Sequence, residues 1–355
     1  MNDVIAAREL LSAHDPLTHG GKALDDLTVE RIWRQLLDDI DQGVVSRVRP
    51  PLRRETRLVR SAIAAIVVLA CALGALAVTG RHASSTHYIA LEPLNYSRGI
   101  DPAPAGQALN QLAAAARAQP APIAGGWHYL EIATWSVFQG SDAHDLPPGM
   151  PGVAEIWTAA DGAQRVVSHS NVPAPSQGLA AWLSAGLPVT GGQTESHVTT
   201  AEAAQFPAEL SSDPAILRRQ LLDADFGSSS LTPARATVEL FAAIRDLRAA
   251  RPIDPTLQSA LLRMLAGEPG VVSLGTAIDR LGRVVDAFAV DSDYSGLPTR
   301  DILLFDPADG QLLGSERVLT TSAGDLGVQI PSVISYVIYV RDGQVHDDTT
   351  VPPPL

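Results

Sequence analysis

Nine histidines, one cysteine and an excess of acidic side chains are the material from which a reactive centre would be built. Metal-binding helices set two histidines a turn apart, as His-x-x-x-His or His-Glu-x-x-His, so that both imidazoles face one ion. His14, His19, His82, His87, His128, His144, His169, His197 and His346 contain no such spacing and read as solvated or core histidines. Cys71 lies inside an apolar run, which excludes a disulfide framework and a cysteine-based zinc site. No Gly-x-Ser-x-Gly elbow frames a serine nucleophile, and no Walker or dinucleotide-binding glycine pattern is present. Asp142, Asp145 and the Asp291/Asp293 loop offer oxygens to calcium, but without the EF-hand ladder they read as acidic surface turns. The expectation is a protein that is not an enzyme and carries no cofactor and no metal.

Charge narrows the partners. Residues 1–60 carry ten basic and ten acidic side chains, whereas residues 82–355 carry 15 basic against 29 acidic. The larger part would be repelled by nucleic acid. A hydrophobic content of 46% across 355 residues is ample for a packed core.

Between these parts Ser61 to Thr79 holds no charged residue. At 1.5 Å per residue, roughly 20 residues cross the ~30 Å hydrocarbon core as a helix, so residues 61–80 are expected to span a membrane. Arg47, Arg49, Arg53, Arg54, Arg57 and Arg60 precede the run and only Arg81 closely follows it. The excess of arginine on that side places the N-terminus in the cytoplasm and residues 81–355 outside the cell membrane. About 60 residues stand before the run, too many for the leader of a cleaved secretory signal, which favours an uncleaved anchor.

Within the tail, residues 1–60, the apolar residues Val29, Ile32, Trp33, Leu36, Leu37 and Ile40 follow the i, i+3, i+4, i+7 spacing of one helical face. Thr28 is placed to cap this helix and the Pro50-Pro51 pair ends any continuation. So short a tail cannot bury the stripe alone, which points to a protein partner in the cytoplasm. Asp25, Asp26, Glu30, Asp38, Asp39 and Asp41 on the polar side disfavour an anionic leaflet as that partner. The alternative is that the tail helices fold against each other or against a second copy.

Residues 81–104 are polar and broken by proline, and read as a stalk or a first irregular strand; residues 105–347 read as one extracytoplasmic domain, and 348–355 as a proline-rich tail. Helices are expected from Gly106 to Ala118, Asp213 to Asp223, Thr232 to Ala249 and Pro255 to Leu265. Trp127 to Phe138 reads as a strand with Trp127, Tyr129 and Trp135 on one face and Leu130 and Ile132 on the other, both covered. Hairpins follow from Val153–Ala159 with Gln164–His169 around Asp161-Gly162, from 271–279 with 283–291, and from 300–305 with 311–319 around Asp309-Gly310. Val333 to Arg341 supplies a last strand. The fold class is therefore α+β, with helices covering one face of a curved antiparallel sheet.

The tail stripe, the Arg-rich stop, the single span, the Trp127-His-Tyr-Leu-Glu-Ile132 strand, Ser212-Asp-Pro-Ala-Ile-Leu217, Glu268-Pro-Gly-Val-Val272 and Leu304-Phe-Asp-Pro-Ala-Asp-Gly-Gln-Leu-Leu-Gly314 come in a set order. Over nearly the whole chain this order resembles an uncharacterised family of actinobacterial single-pass membrane proteins. Members look like neighbours of genes for extracytoplasmic-function sigma factors, which implies a membrane-bound regulator or sensor with a sigma factor as its cytoplasmic partner. The outer domain resembles the open half-barrels of lipoprotein carriers and of periplasmic sensors, which implies a lipid or other apolar ligand outside. The tail departs from the zinc-containing anti-sigma type, having no cysteine for a His-Cys-Cys site. Two functions follow as expectations: a transmembrane regulator, or a membrane-tethered lipid-binding or carrier protein with no signalling role.

Overall fold

The computed structural model describes residues 91–99, 101–120, 126–137, 150–169, 193–198, 206–226, 231–293 and 296–353. Four α-helices lie among them: α1 (Gly106–Arg117), α2 (Pro214–Phe226), α3 (Pro233–Ala250) and α4 (Pro255–Ala266). Three of these open on a polar residue followed by proline. Asp213 Oδ1 accepts from the Ala215 and Ile216 N–H groups, Thr232 from Arg235, and Asp254 from Thr256 and Leu257. Proline at the first helical position gives up an N–H that has no intrahelical partner there, while the preceding side chain satisfies the next ones.

The strands are β1 (Ala103–Pro104), β2 (Trp127–Ser136), β3 (Met150–Thr158), β4 (Gln164–His169), β5 (Gln193–Val198), β6 (Val272–Ile278), β7 (Val284–Ser292), β8 (Thr299–Phe305), β9 (Leu312–Leu319) and β10 (Ser332–Val345). They form one open sheet in the order β1-β6-β7-β8-β9-β10-β2-β3-β4-β5, antiparallel at every pairing. Two meanders, β2–β5 and β6–β10, are thus joined by β10 lying against β2, so residues some 200 positions apart in sequence make the central seam. The fold is α+β, as the sequence predicts.

The two parities of β2 lead into different cores. Leu130 and Ile132 belong to the cluster that holds Leu109 and Leu112 of α1, Leu217 and Leu221 of α2, Leu240, Phe241 and Leu247 of α3, and Leu261 and Leu265 of α4. Ala133 and Trp135 belong to a second cluster with Val285, Ala287, Ile302, Leu304, Tyr336 and Ile338, against which Leu94 and Tyr96 pack. Tyr129 sits with Trp157 and Val167 in a third. The helices contribute only to the first cluster among the described residues, and the two faces of the sheet are called here the helix face and the far face.

The stretch expected as a stalk or a first irregular strand is bonded to the sheet from its first described residue. Leu91 bridges to Val333, Ser97 N donates to Thr276 O, and Arg98 N donates to Leu274 O. Main-chain bonds of this kind leave no periodic trace in a proline-broken sequence.

β10 also runs on past Arg341, through Asp342-Gly343, to Val345. A register shift between Tyr339 and Arg341 leaves Val340 as an extra residue opposite β2, so Val340 and Arg341 both face the far side before alternation resumes. Such a bulge re-aims the side chains that follow it. Here it turns Asp342, opposite Leu130, onto the helix face.

Candidate functional site

The residues singled out for partner binding, Val29, Ile32, Trp33, Leu36, Leu37 and Ile40, lie outside the described residues. So do the topology-determining Arg47, Arg49, Arg53, Arg54, Arg57 and Arg60, the span 61–80, Asp142 and Asp145. Among the described residues no helix is long and apolar enough to cross a membrane. The Asp291 carboxylate is taken by Arg300, through bonds of 2.6 and 2.8 Å. Among the described residues no three His, Cys, Asp or Glu side chains gather in a way that could hold a metal ion.

A polar cluster that sequence reading did not single out lies where α3 ends. Arg248, in the last turn of α3, is 3% exposed and pairs with Asp342 of β10. Asp342 also receives Gln311 Nε2 at 2.8 Å and the His128 Nε2 of β2 at 2.5 Å. The Arg248 guanidinium stands over the Tyr339 ring at 5.5 Å, and the Tyr339 hydroxyl donates to Arg245 O at 3.2 Å.

Three elements bring these groups together. The β10 bulge turns Asp342 inward, α3 carries Arg248 on the same stripe as Leu240, Ile244 and Leu247, and Gly310 lets the β8–β9 turn reach the helices. Gly310 has a φ of 69°, and a Cβ there would meet Leu262 Cδ1 at 2.8 Å and Leu112 O at 3.0 Å. Its carbonyl accepts from Gln258 Nε2 at 2.6 Å. Glycine is required both for the left-handed backbone and for the close approach.

Burial sets the protonation states here. Desolvation, followed by the charge of Arg248, lowers the His128 imidazole from 6.5 to about 4. The ring is therefore neutral at pH 7, and it must carry its proton on Nε2 to donate to Asp342. An adjacent carboxylate would normally favour imidazolium, but this one is already engaged by Arg248. Arg248 itself is lowered to about 10 by burial and stays charged at neutral pH. Asp309 is raised by burial and by Asp306, against the pull of its backbone donor and of Arg248.

Beside the cluster lies a pocket of about 110 Å³, lined by Arg248, Gln258, Gln311, Asp309, Gln119 and Ile253. The Arg248 Nε is buried and has no hydrogen-bond partner. The space is wide enough for several waters or a small ligand. An arginine at Leu240 plus eight was the readable signal, a charged residue on an otherwise apolar helical stripe.

The far face carries buried charge of its own. Glu316, fully buried, accepts from the Tyr96 hydroxyl at 2.8 Å and pairs with Arg280 at 2.5 Å, and Arg280 stands over the Tyr336 ring at 4.9 Å. On the opposite parity of β8, shared with Leu303 and Phe305, Asp301 pairs with Arg317 at 2.8 Å. Glu155 holds both the Tyr129 hydroxyl, at 2.8 Å, and His169 Nε2, at 3.0 Å.

Neither a protein-family model nor a curated protein matches this chain.

Proposed function

We propose that the chain is a single-pass membrane regulator. Residues 61–80 anchor it, the α+β domain forms an extracytoplasmic half-barrel that recognises an envelope ligand, and the Val29–Ile40 stripe engages a protein partner in the cytoplasm, a sigma factor being the leading candidate. The observation that carries this reading is the charge pattern around the uncharged run: six arginines immediately before it, one closely after, and an acidic domain beyond. The amphipathic stripe on the arginine side gives that side something to bind with.

The alternative of a lipid carrier is less well supported. Among the described residues the core between helices and sheet is filled by leucines and phenylalanines, so an apolar ligand would enter that core only by displacing part of the helix layer.

The test has two readouts on the full chain expressed in a bacterial membrane. Protease added to spheroplasts should degrade residues 81–355 and spare the tail, and an affinity-tagged chain should capture a cytoplasmic protein that the Trp33→Asp variant does not. A chain found in the soluble fraction, or no capture before mutation, sinks the regulator reading. A lipid that co-purifies reproducibly, with no protein captured, would favour the carrier.

A further inference from the structure

Residues 346–353, continuing from β10, return over the far face and bond to it through alternate carbonyls. Arg165 Nη1 of β4 donates to Asp348 O at 2.7 Å, Trp157 Nε1 of β3 to Thr350 O at 2.8 Å, and Arg341 Nη1 of β10 to Pro352 O at 3.2 Å. The chain bends and turns over residues 346–349, where the Asp347 carboxylate accepts from the Thr349 and Thr350 N–H groups, and residues 350–353 lie outside any helix or strand.

The face is built independently of the tail. Trp157 meets Tyr129 edge-on, with ring centroids 5.1 Å apart, and both pack with Val167. Arg165 stands over the Trp157 ring at 4.7 Å and Arg341 over the Tyr129 ring at 5.8 Å. Each guanidinium is held by a carboxylate through its Nε, Arg165 by Glu195 and Arg341 by Glu131. Those carboxylates fix the forks and cancel their charge, which leaves one Nη1 on each to meet a neutral carbonyl rather than an anion.

The tail is held more lightly. Thr349, Thr350, Val351 and Pro353 are exposed, and the Asp347 carboxylate is spent within the tail, capping Thr349 and Thr350. Its prolines have no N–H to donate and are already stiff, so ordering them costs little. Rigid aromatic and arginine donors on one side, with a proline-rich segment whose carbonyls they meet on the other, make a peptide-recognition surface.

We propose that the face formed by Trp157, Tyr129, Arg165 and Arg341 is a binding site for a short proline-rich peptide, occupied in this structure by the chain's own residues 347–353. In this arrangement the tail is a tethered competitor, and a segment of the same chemistry supplied from outside binds when the tail leaves. The inference stands apart from the membrane reading, because it uses only contacts within residues 129–352.

The probe is a fluorescein-labelled peptide with the sequence of residues 347–355, titrated in detergent against the full chain and against the chain ended after His346. A tethered segment acts at an effective concentration of order mM, so a peptide that binds the shortened chain at about 100 µM should bind the full chain about tenfold more weakly. Trp157→Phe in the shortened chain should weaken binding further. Equal binding to both chains, or no saturable binding to the shortened one, overturns the proposal. A second measurement covers a shortened chain that fails to fold: a spin label on Val351→Cys in the full chain, with Cys71→Ala, should turn mobile as unlabelled peptide is added. A spectrum that does not change overturns the proposal on its own.

Discussion

His128 offers the sharpest test of the buried cluster. Its imidazole is pushed from 6.5 to about 4 in the folded protein, first by burial and then by Arg248. The unfolded chain therefore takes up a proton near pH 6.5 that the folded chain refuses until about pH 4. Stability from this residue is complete above pH 6.5, falls between pH 6.5 and pH 4, and is flat below. At pH 4.5 the loss works out to about 2.5 kcal/mol relative to pH 7.5.

Glutamine is the informative replacement, because its Nε2 can still donate to Asp342 and it does not titrate. Urea unfolding of wild type and His128→Gln, followed by tryptophan fluorescence at several pH values, isolates this residue because all other titrating groups are shared. The wild-type advantage at pH 7.5 should shrink by about 2.5 kcal/mol at pH 4.5 and change sign if it starts smaller than that. Parallel pH curves would mean that His128 is not held neutral, and the account of the cluster would fail.

Three further outcomes follow from the same geometry. Arg248→Met leaves the half-buried Asp342 with only neutral donors and should cost about 1–3 kcal/mol, while Arg248→Met with Asp342→Leu should recover most of that loss; denaturant midpoints of the two variants decide it. Gly310→Ala forces a left-handed backbone and a clash with Leu262 and the Leu112 carbonyl, and should cost about 1–3 kcal/mol, visible as a lower midpoint with an unchanged slope. Tyr96→Phe removes the hydroxyl that donates to fully buried Glu316, and a loss of about 1–3 kcal/mol is expected; hydrogen exchange should show the amides of Ser97 and Arg98 opening first.

Much of the scaffold was legible, for identifiable reasons. The pairs Asp213-Pro214, Thr232-Pro233 and Asp254-Pro255 mark helix starts almost to the residue, because cap and proline act locally. The hairpins around Gly162, Gly282 and Gly310 were readable for the same reason, each glycine having a positive φ. β5 was not: Gln193–Val198 has one apolar residue, and its pairing with β4 rests on main-chain bonds. The end of β10 was missed because Arg341-Asp342-Gly343 reads as a turn, whereas pairing with β2 carries the strand through it. Arg248 and Asp342, a helix and a bulge apart, meet only once the sheet is assembled across the β10–β2 seam.

The difference between the two faces bears on how the domain could respond to a ligand. On the helix face the cover is apolar apart from the Arg248 cluster: lifting a helix would expose leucines, each costing about 1.5–3 kcal/mol when taken from full burial to water, and would break the Arg248–Asp342 pair. On the far face the described cover is made of chain segments, residues 91–99 and 347–353, laid over strands that carry Glu131, Glu155 and Glu316 beside their basic partners. A paired charge under such a cover is desolvated at a cost that its partner only partly returns. Releasing the cover gives that hydration back, so a far-face segment detaches at a smaller cost than a helix would. Rearrangement on binding is therefore expected on the far face, at the segment leading from the proposed membrane anchor and at the C-terminal tail, while the helix face stays closed.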